Sequence, residues 1–340
     1  MATNPTDKPS GERFAHLFGP VPSRRFGWSL GVDLTPFKTC TLDCVFCQLG
    51  RTTALTTDRR EHVATNDVVA EIEAWLRAGG TADYITLGGS GEPTLHSRFG
   101  EIIDRVHART SIPVALLTNG TLLHLSEVRD AARRADVVKV TLAAADEPLF
   151  AHIHRPCSGV TFDRLVEGEC RLREEFTGQL WMEVFLLLGI NSTPAAVRRI
   201  AAVAARVRPD RIQLNTCVRP SAESYAEAVS VERLVELAEF FAPRAEIVAA
   251  PPSVRVSGTR ADEAEAAILG ILGRRPSTAP QLARACNLHG NEISKYLGRL
   301  LQAGQIRAER RQGEVFYVGG TVPAAGGAVT KTDASQLQGE

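Results

Sequence analysis

Between Ser29 and Thr216 the chain repeats one unit six times: a short apolar run, then a polar–apolar stretch with helical period. The apolar runs are SLGVDL (29–34), YITLGG (84–89), VALLTNG (114–120), VVKVTLA (137–143), QLWMEVFLLLG (179–189) and RIQLNT (211–216). The helical stretches between them include NDVVAEIEAWLRAG, RFGEIIDRVHAR, LSEVRDAARR, FDRLVEGECRLREEF and PAAVRRIAAVAARV. Strands separated by helices run parallel, because the chain must cross back before each new strand, and such crossovers are right-handed. The pattern predicts an α/β fold, either a partial (β/α) barrel or a doubly wound sheet. Both place a ligand at the carboxyl ends of the strands.

Those ends carry the unusual residues. KTCTLDCVFCQLG (38–50) follows the first strand and holds Cys40, Cys44 and Cys47 at C-x3-C-x2-C spacing. GGSGEPTLH (88–96) follows the second strand and TNGTLL (118–123) follows the third. Three thiolates on one loop can hold an iron–sulfur cluster and leave one of its four irons for an external ligand. A structural zinc site takes a fourth thiolate or imidazole at close spacing; the nearest histidine after Cys47 is His62. Zinc and unligated thiols are the alternatives. Glycines let a backbone approach a ligand closely, and a carboxylate beside them, Glu92, suits an ammonium group.

Composition narrows the class. The formal net charge is zero, so no global field recruits nucleic acid or anionic lipid. No apolar run reaches the roughly 20 residues that span a bilayer; the longest, LWMEVFLLLGI, carries Glu183. The polar start MATNPTDKPSGER shows no hydrophobic signal region, and seven cysteines, an odd number, fit a reducing compartment. The expected location is the cytoplasm.

The triplet, with the aromatic Phe46 just before its last cysteine, resembles the signature of the radical S-adenosylmethionine (radical SAM) enzymes. The resemblance implies a partial (β/α)6 TIM-type barrel and a [4Fe–4S] cluster on Cys40, Cys44 and Cys47. It implies that the open iron chelates SAM, and that the reduced cluster cleaves SAM to a 5′-deoxyadenosyl radical. A reductant protein such as flavodoxin or ferredoxin is the implied partner. Gly88, Gly89, Ser90, Gly91 and Glu92 match the family's glycine-rich segment for the methionine ammonium, and Phe46 matches the aromatic near the adenine. Thr118, Asn119 and Thr141 are placed to contact the ribose or carboxylate; a turn or helix cap is the plainer role for each. GPVPSRRFGWSLGVDL, GEPTLH, Arg155-Pro156 and RIQLNTCVRP extend the resemblance, over roughly residues 17–225, to the branch of tRNA wyosine-base synthases. That branch uses a second cluster on upstream cysteines, and this chain has none before Cys40. VTLAAADE (140–147) also lacks the acidic residue often found near the end of strand four. The implied chemistry is therefore the radical machinery, not the branch's pyruvate condensation.

Cys217, at the end of the sixth strand, is a candidate hydrogen-atom donor, although a packed thiol is the commoner role. Cys157 lies in a loop after the fourth strand, and with Cys217 gives too few ligands for an auxiliary cluster; Cys170 and Cys286 read as packed thiols, and His152 and His154 as surface or capping residues. Arg24 and Arg25 suit an anionic substrate or a salt bridge.

The domain reading is a tail over 1–12, a barrel over 13–250, a linker over 251–261, a winged helix over 262–320 and a second tail over 321–340. The winged helix rests on ADEAEAAILGILGRR, APQLARACN-LHG-NEISKYLGRLLQAG and a hairpin turning at Gln312-Gly313. Its second recognition-type helix carries Asn291, Ser294, Lys295, Tyr296 and Arg299, and its wing Arg307, Arg310 and Arg311. Glu292, Glu309 and Glu314 dilute that patch. Such a domain contacts tRNA or DNA, or docks on protein. Three functional classes follow: a radical SAM enzyme, an iron–sulfur or SAM-responsive transcription regulator, and an activase of a partner protein.

Overall fold

The computed structural model describes residues 14–218, 221–248, 259–272, 276–286, 288–311 and 314–319. Arg311's side chain, the Gln312-Gly313 turn, the 251–258 part of the linker and both tails lie outside the described residues. Along the chain come β1 (Leu17–Ser23), β2 (Gly27–Val32), the two-residue strands β3 (Thr39–Cys40) and β4 (Ala54–Leu55), and α1 (Thr65–Arg77). Next are β5 (Tyr84–Leu87), α2 (Phe99–His107), β6 (Val114–Leu117), α3 (Ser126–Ala132), β7 (Val137–Leu142), α4 (Glu147–His154) and α5 (Phe162–Glu175). Then come β8 (Gln179–Phe185), α6 (Pro194–Val207), β9 (Arg211–Asn215), α7 (Val231–Ala238) and β10 (Glu246–Ile247). The remainder is α8 (Thr259–Leu272), β11 (Ser277–Thr278), α9 (Ala279–Cys286), α10 (Gly290–Gln302), β12 (Ile306–Arg311) and β13 (Glu314–Gly319).

Eight strands form one sheet in the order β1-β2-β5-β6-β7-β8-β9-β10, and every pair from β2 to β10 is parallel. A doubly wound sheet reverses its order at a switch point. This order never reverses, so the sheet is a partial TIM-type barrel, left open between β1 and β10. β1 is an addition to the sequence reading. It pairs antiparallel with β2 across the 23–27 turn, at the edge, where strands tolerate proline such as Pro20 and Pro22.

Period-two alternation sorts the strand side chains. Val138, Val140 and Leu142 of β7, Leu180, Met182 and Val184 of β8, and Ile212 and Leu214 of β9 face the helices and join the main core. The opposite face lines the barrel. Its floor is apolar: Phe26, Ala115, Val137 and Trp181 cluster there, with Phe26 stacked on Trp181 at 5.0 Å. Above the floor lies a charged layer. Glu183 accepts from Lys139 Nζ at 2.5 Å, from Asn215 Nδ2 at 2.7 Å and from Arg25. Arg24 Nη1 donates to the Val248 carbonyl at 2.5 Å. The two arginines thus take the salt-bridge and backbone roles, fastening the β1–β2 turn to the far side of the barrel. Burial, with Arg25 and Arg24 close by, holds Lys139 well below the ordinary lysine range.

After β10 a small domain has its own core of Ile268, Leu272, Leu282, Ile293, Leu297, Leu300, Ile306 and Tyr317. Its sheet, β11-β13-β12, is antiparallel. Among the described residues no helix is long and apolar enough to cross a membrane.

One core residue runs against the packing rules. Glu169 of α5 is fully buried beside Gly120, and neither carboxyl oxygen has a partner among the described residues. Burial pushes its carboxyl well above the usual range. The unfolded chain releases this proton near pH ~4.3 while the folded chain keeps it, so stability declines as pH rises above that point. Glu169→Gln is expected to raise Tm by a few degrees at pH 8, about 2–4 °C per kcal/mol gained, and to flatten the pH dependence of Tm. Thermal unfolding of both proteins at pH 5 and pH 8 checks this.

Candidate functional site

The site starts where β2 runs out. Lys38 adopts a left-handed turn, φ 59°, and the chain enters β3, so Cys40 is pinned by pairing with Leu55 of β4. Two neighbours fasten the loop beyond. On one side the Lys38 N–H donates to the Ser90 carbonyl at 2.7 Å and the Glu92 N–H to the Thr39 carbonyl at 3.0 Å. On the other, Asp43 and Val45 donate to the His154 and Ile153 carbonyls at the end of α4, both at 2.9 Å. Asp43 also pairs with Arg51 at 3.0 Å, and Arg51 and Arg155 share Glu223.

The loop brings Cys40, Cys44 and Cys47 together, all half-buried and none in a disulfide. Each sulfur has a polar neighbour: Lys38 Nζ lies 3.0 Å from Cys47 Sγ, Asn119 Nδ2 3.5 Å from Cys40 Sγ, and His154 Nδ1 3.1 Å from Cys44 Sγ. Burial, then the Glu92 carboxyl, pushes the Cys40 thiol up to about 12. Burial, then the other two thiols, pushes Cys44 well above its ordinary value. Burial pulls against the Lys38 ammonium, but Cys47 beside it outweighs this and leaves Lys38 raised. Burial thus holds Cys40 and Cys44 against ionisation in the bare loop, and three clustered thiols are a donor set suited to iron. Among the described residues no three His, Cys, Asp or Glu side chains are arranged around a single ion. In a four-iron cluster the thiolates sit on separate irons, so three protein sulfurs need not meet at one ion. The residues fit a [4Fe–4S] cluster.

The glycine-rich loop lies against the cysteines. Gly88 and Gly89 lead out of β5, and a side chain on Gly91 would collide with the Thr39 carbonyl, so only glycine permits the approach. Ser90 donates through both its N–H, at 2.9 Å, and its hydroxyl to Asp33. Glu92 is 2% exposed and accepts from Thr94 N and Oγ1, Thr118 Oγ1 and Asn119 N at 2.6–3.1 Å. Its carboxylate therefore ties this loop to the end of β6. Burial pushes its carboxyl up despite these donors. Asn119 reaches back to Thr41 Oγ1 at 2.8 Å. Cys40, Thr41, Glu92, Thr118 and Asn119 are thus one hydrogen-bonded assembly. Phe46 stacks on Phe185 of β8 at 4.0 Å, with His154 edge-on at 5.6 Å. Thr141 stands on the inward face of β7, paired in register with Glu183.

Several residues exceed the sequence reading. His154 is a correction: it is 2% exposed, not on the surface, and burial lowers its imidazole to about 3, so it stays neutral beside Cys44. His152 is exposed, against Tyr225. Lys38, beside the cysteines, and Asp33, in the first apolar run, carried no role in the sequence reading. Cys217 lines a cavity of about 260 Å³ with Ser221 and Glu223 of the barrel and Ala308 and Arg310 of β12; burial raises its thiol. Cys157 and Cys170 pack against the main core and Cys286 against the C-terminal one.

The model of the radical SAM superfamily matches residues 34–202, from the end of β2 into α6. A "UPF0026 protein" of Helicobacter pylori is 31% identical over 311 residues, covering 88% of this chain and 96% of that protein. A protein of Brachyspira hyodysenteriae named "GTPase Obg" is 34% identical over 303 residues, 88% of this chain. The chain spans only 45% of that relative's length. A solved radical SAM methyltransferase from Sphaerobacter thermophilus is 19% identical, with a TM-score of 0.49 over 64% of each chain. The family model and a relative matched along almost its whole length agree with the cysteine loop and the barrel around it: the chain belongs to the radical SAM superfamily and to the UPF0026 proteins, and is a radical SAM enzyme.

Proposed function

We propose that Cys40, Cys44 and Cys47 hold a [4Fe–4S] cluster with one open iron, that SAM binds between it and the Gly88–Glu92 loop, and that the substrate is an RNA, a tRNA first. The observation that carries the reading is the lacing of the two loops through Lys38, Thr39, Ser90 and Glu92. Bound there, the cluster supplies reductive cleavage of SAM to a 5′-deoxyadenosyl radical. The residues do the rest. Lys38 sets a positive charge against Cys47, and Asn119 donates toward Cys40. The backbone at 88–91, held in place by the Ser90 bonds to Asp33, gives SAM peptide groups at close approach, and Phe46 offers an aromatic face. Phe185, Val45, Ala143 and Leu187 form an apolar wall beside Cys217, which keeps water from a radical. Phe37 and Leu55, 49% and 43% exposed outside the cysteine loop, suit docking of a reductant protein of the flavodoxin or ferredoxin kind.

The RNA reading draws on the wyosine-synthase resemblance over residues 17–225 and on three helices plus an antiparallel sheet after β10, read as a winged helix. A DNA-reading regulator draws less support, because Ser294 and Glu292 of α10 are buried and Arg299 pairs with Glu265 at 2.8 Å. The test is incubation of total tRNA from cells lacking the gene with protein, SAM and dithionite, followed by nucleoside mass spectrometry. One nucleoside should change mass in step with 5′-deoxyadenosine. Deoxyadenosine formed with no change in any nucleoside would place the substrate elsewhere.

A further inference from the structure

The C-terminal domain is seated on the barrel at two places. At β12, Arg310 donates to the Ser221 and Ala222 carbonyls, at 2.8 and 3.0 Å, in the loop after β9. At the start of α10, His289 reaches the opposite edge of the sheet. The domain therefore spans the side on which the barrel is open. From Asn291 to Leu300 no α10 side chain is exposed.

His289 does two things at once. As the N-cap of α10 its Nδ1 accepts from Asn291 N at 3.2 Å, and its own N–H donates to Glu292 at 2.9 Å. An accepting Nδ1 assigns the proton to Nε2, and Nε2 lies 3.0 Å from Asp33 Oδ2. Its ring is stacked on Phe18 of β1 at 4.3 Å and 6°. A side chain on Gly31 would collide with the Phe18 ring, so that glycine lets the ring lie across β2. Asp33 is the carboxylate that receives both Ser90 donors. One buried aspartate is thus shared between the C-terminal domain and the glycine-rich loop, although 256 residues separate His289 from it.

We propose that His289 is a positioning residue for the SAM loop: through Asp33 it fixes Ser90, so that the C-terminal domain completes the SAM site. This rests on the reading that the Gly88–Glu92 loop takes SAM. A hydrogen bond to a charged group contributes enough for about a tenfold change in affinity when lost.

Two substitutions separate this role from capping. Asparagine caps a helix well but is too short to reach Asp33, so His289→Asn keeps the cap and loses the contact. His289→Gln restores the reach. The full chain, reconstituted with its cluster, is dialysed to equilibrium against radiolabelled SAM, and amide exchange is followed across 88–92. His289→Asn should bind SAM about tenfold more weakly, raise KM for SAM in deoxyadenosine formation more than it lowers kcat, and speed exchange at 88–92. Cluster content should stay at the wild-type level, and Tm should fall by only a few degrees, the cost of one hydrogen bond and one ring stack. His289→Gln should recover most of the affinity. Wild-type affinity in His289→Asn, or unchanged exchange in the loop, overturns the proposal. Wild-type protein that carries its cluster but binds no SAM overturns the loop reading itself, and the proposal with it.

Discussion

Cys44→Ala is expected to remove the visible iron–sulfur absorbance and SAM cleavage together, to background. Cys44 lies between two backbone anchors on α4, Asp43 and Val45, so the loop keeps its shape when the thiol is lost and the effect reports the sulfur. A cluster held by three protein thiolates has no fourth to substitute. His154 is 3.1 Å away, but an imidazole held neutral by burial replaces neither the charge nor the reach of a thiolate. Cys286→Ala, in the other core, is the comparison and should change neither signal. Anaerobic reconstitution with iron and sulfide, read by absorbance, iron content and deoxyadenosine yield, checks both. A Cys44→Ala protein that still cleaves SAM would remove this loop from the chemistry.

Glu183→Ala is expected to cost about 3–5 kcal/mol of stability, a fall in Tm of roughly 10 °C. The side chains of Glu183 and Lys139 are each 9% exposed, and the substitution leaves the Arg25 guanidinium and the Lys139 amine buried without their carboxylate. Well-packed apolar replacement of a whole buried ion network is often neutral or stabilising. The triple change Arg25→Leu, Lys139→Met, Glu183→Leu should therefore recover much of the loss. Equal destabilisation by the single and triple variants would mean that side-chain volume, not charge pairing, holds the middle of the barrel. Melting curves at one pH and ionic strength decide between the two.

Much of the barrel was legible because each unit is local. The run VVKVTLA shows its apolar residues and its interrupting Lys139 without reference to anything else, and it became β7. Strand order was not legible, since barrels and doubly wound sheets share the same alternation; only pairing separates them. β1 was missed because LFGPVPS carries two prolines, which weigh against a central strand but not an edge. The cysteine loop was legible because its three ligands lie within eight residues. His154 was not, because its place beside Cys44 and Phe46 depends on contacts made across more than a hundred residues, 110 in the case of Cys44. Glu92 shows the same limit from the other side. Its place beside glycines suggested an ammonium partner, and its carboxylate is occupied by Thr94, Thr118 and Asn119 of this chain.

The most direct test of the central claim is one reaction. The protein is reconstituted anaerobically with iron and sulfide, reduced with dithionite in the presence of SAM, and assayed for 5′-deoxyadenosine by mass spectrometry. The account predicts a visible-absorbing cluster and deoxyadenosine that accumulates only when cluster, reductant and SAM are all present. A protein that forms its cluster, binds SAM and leaves it intact, with and without tRNA, would contradict it.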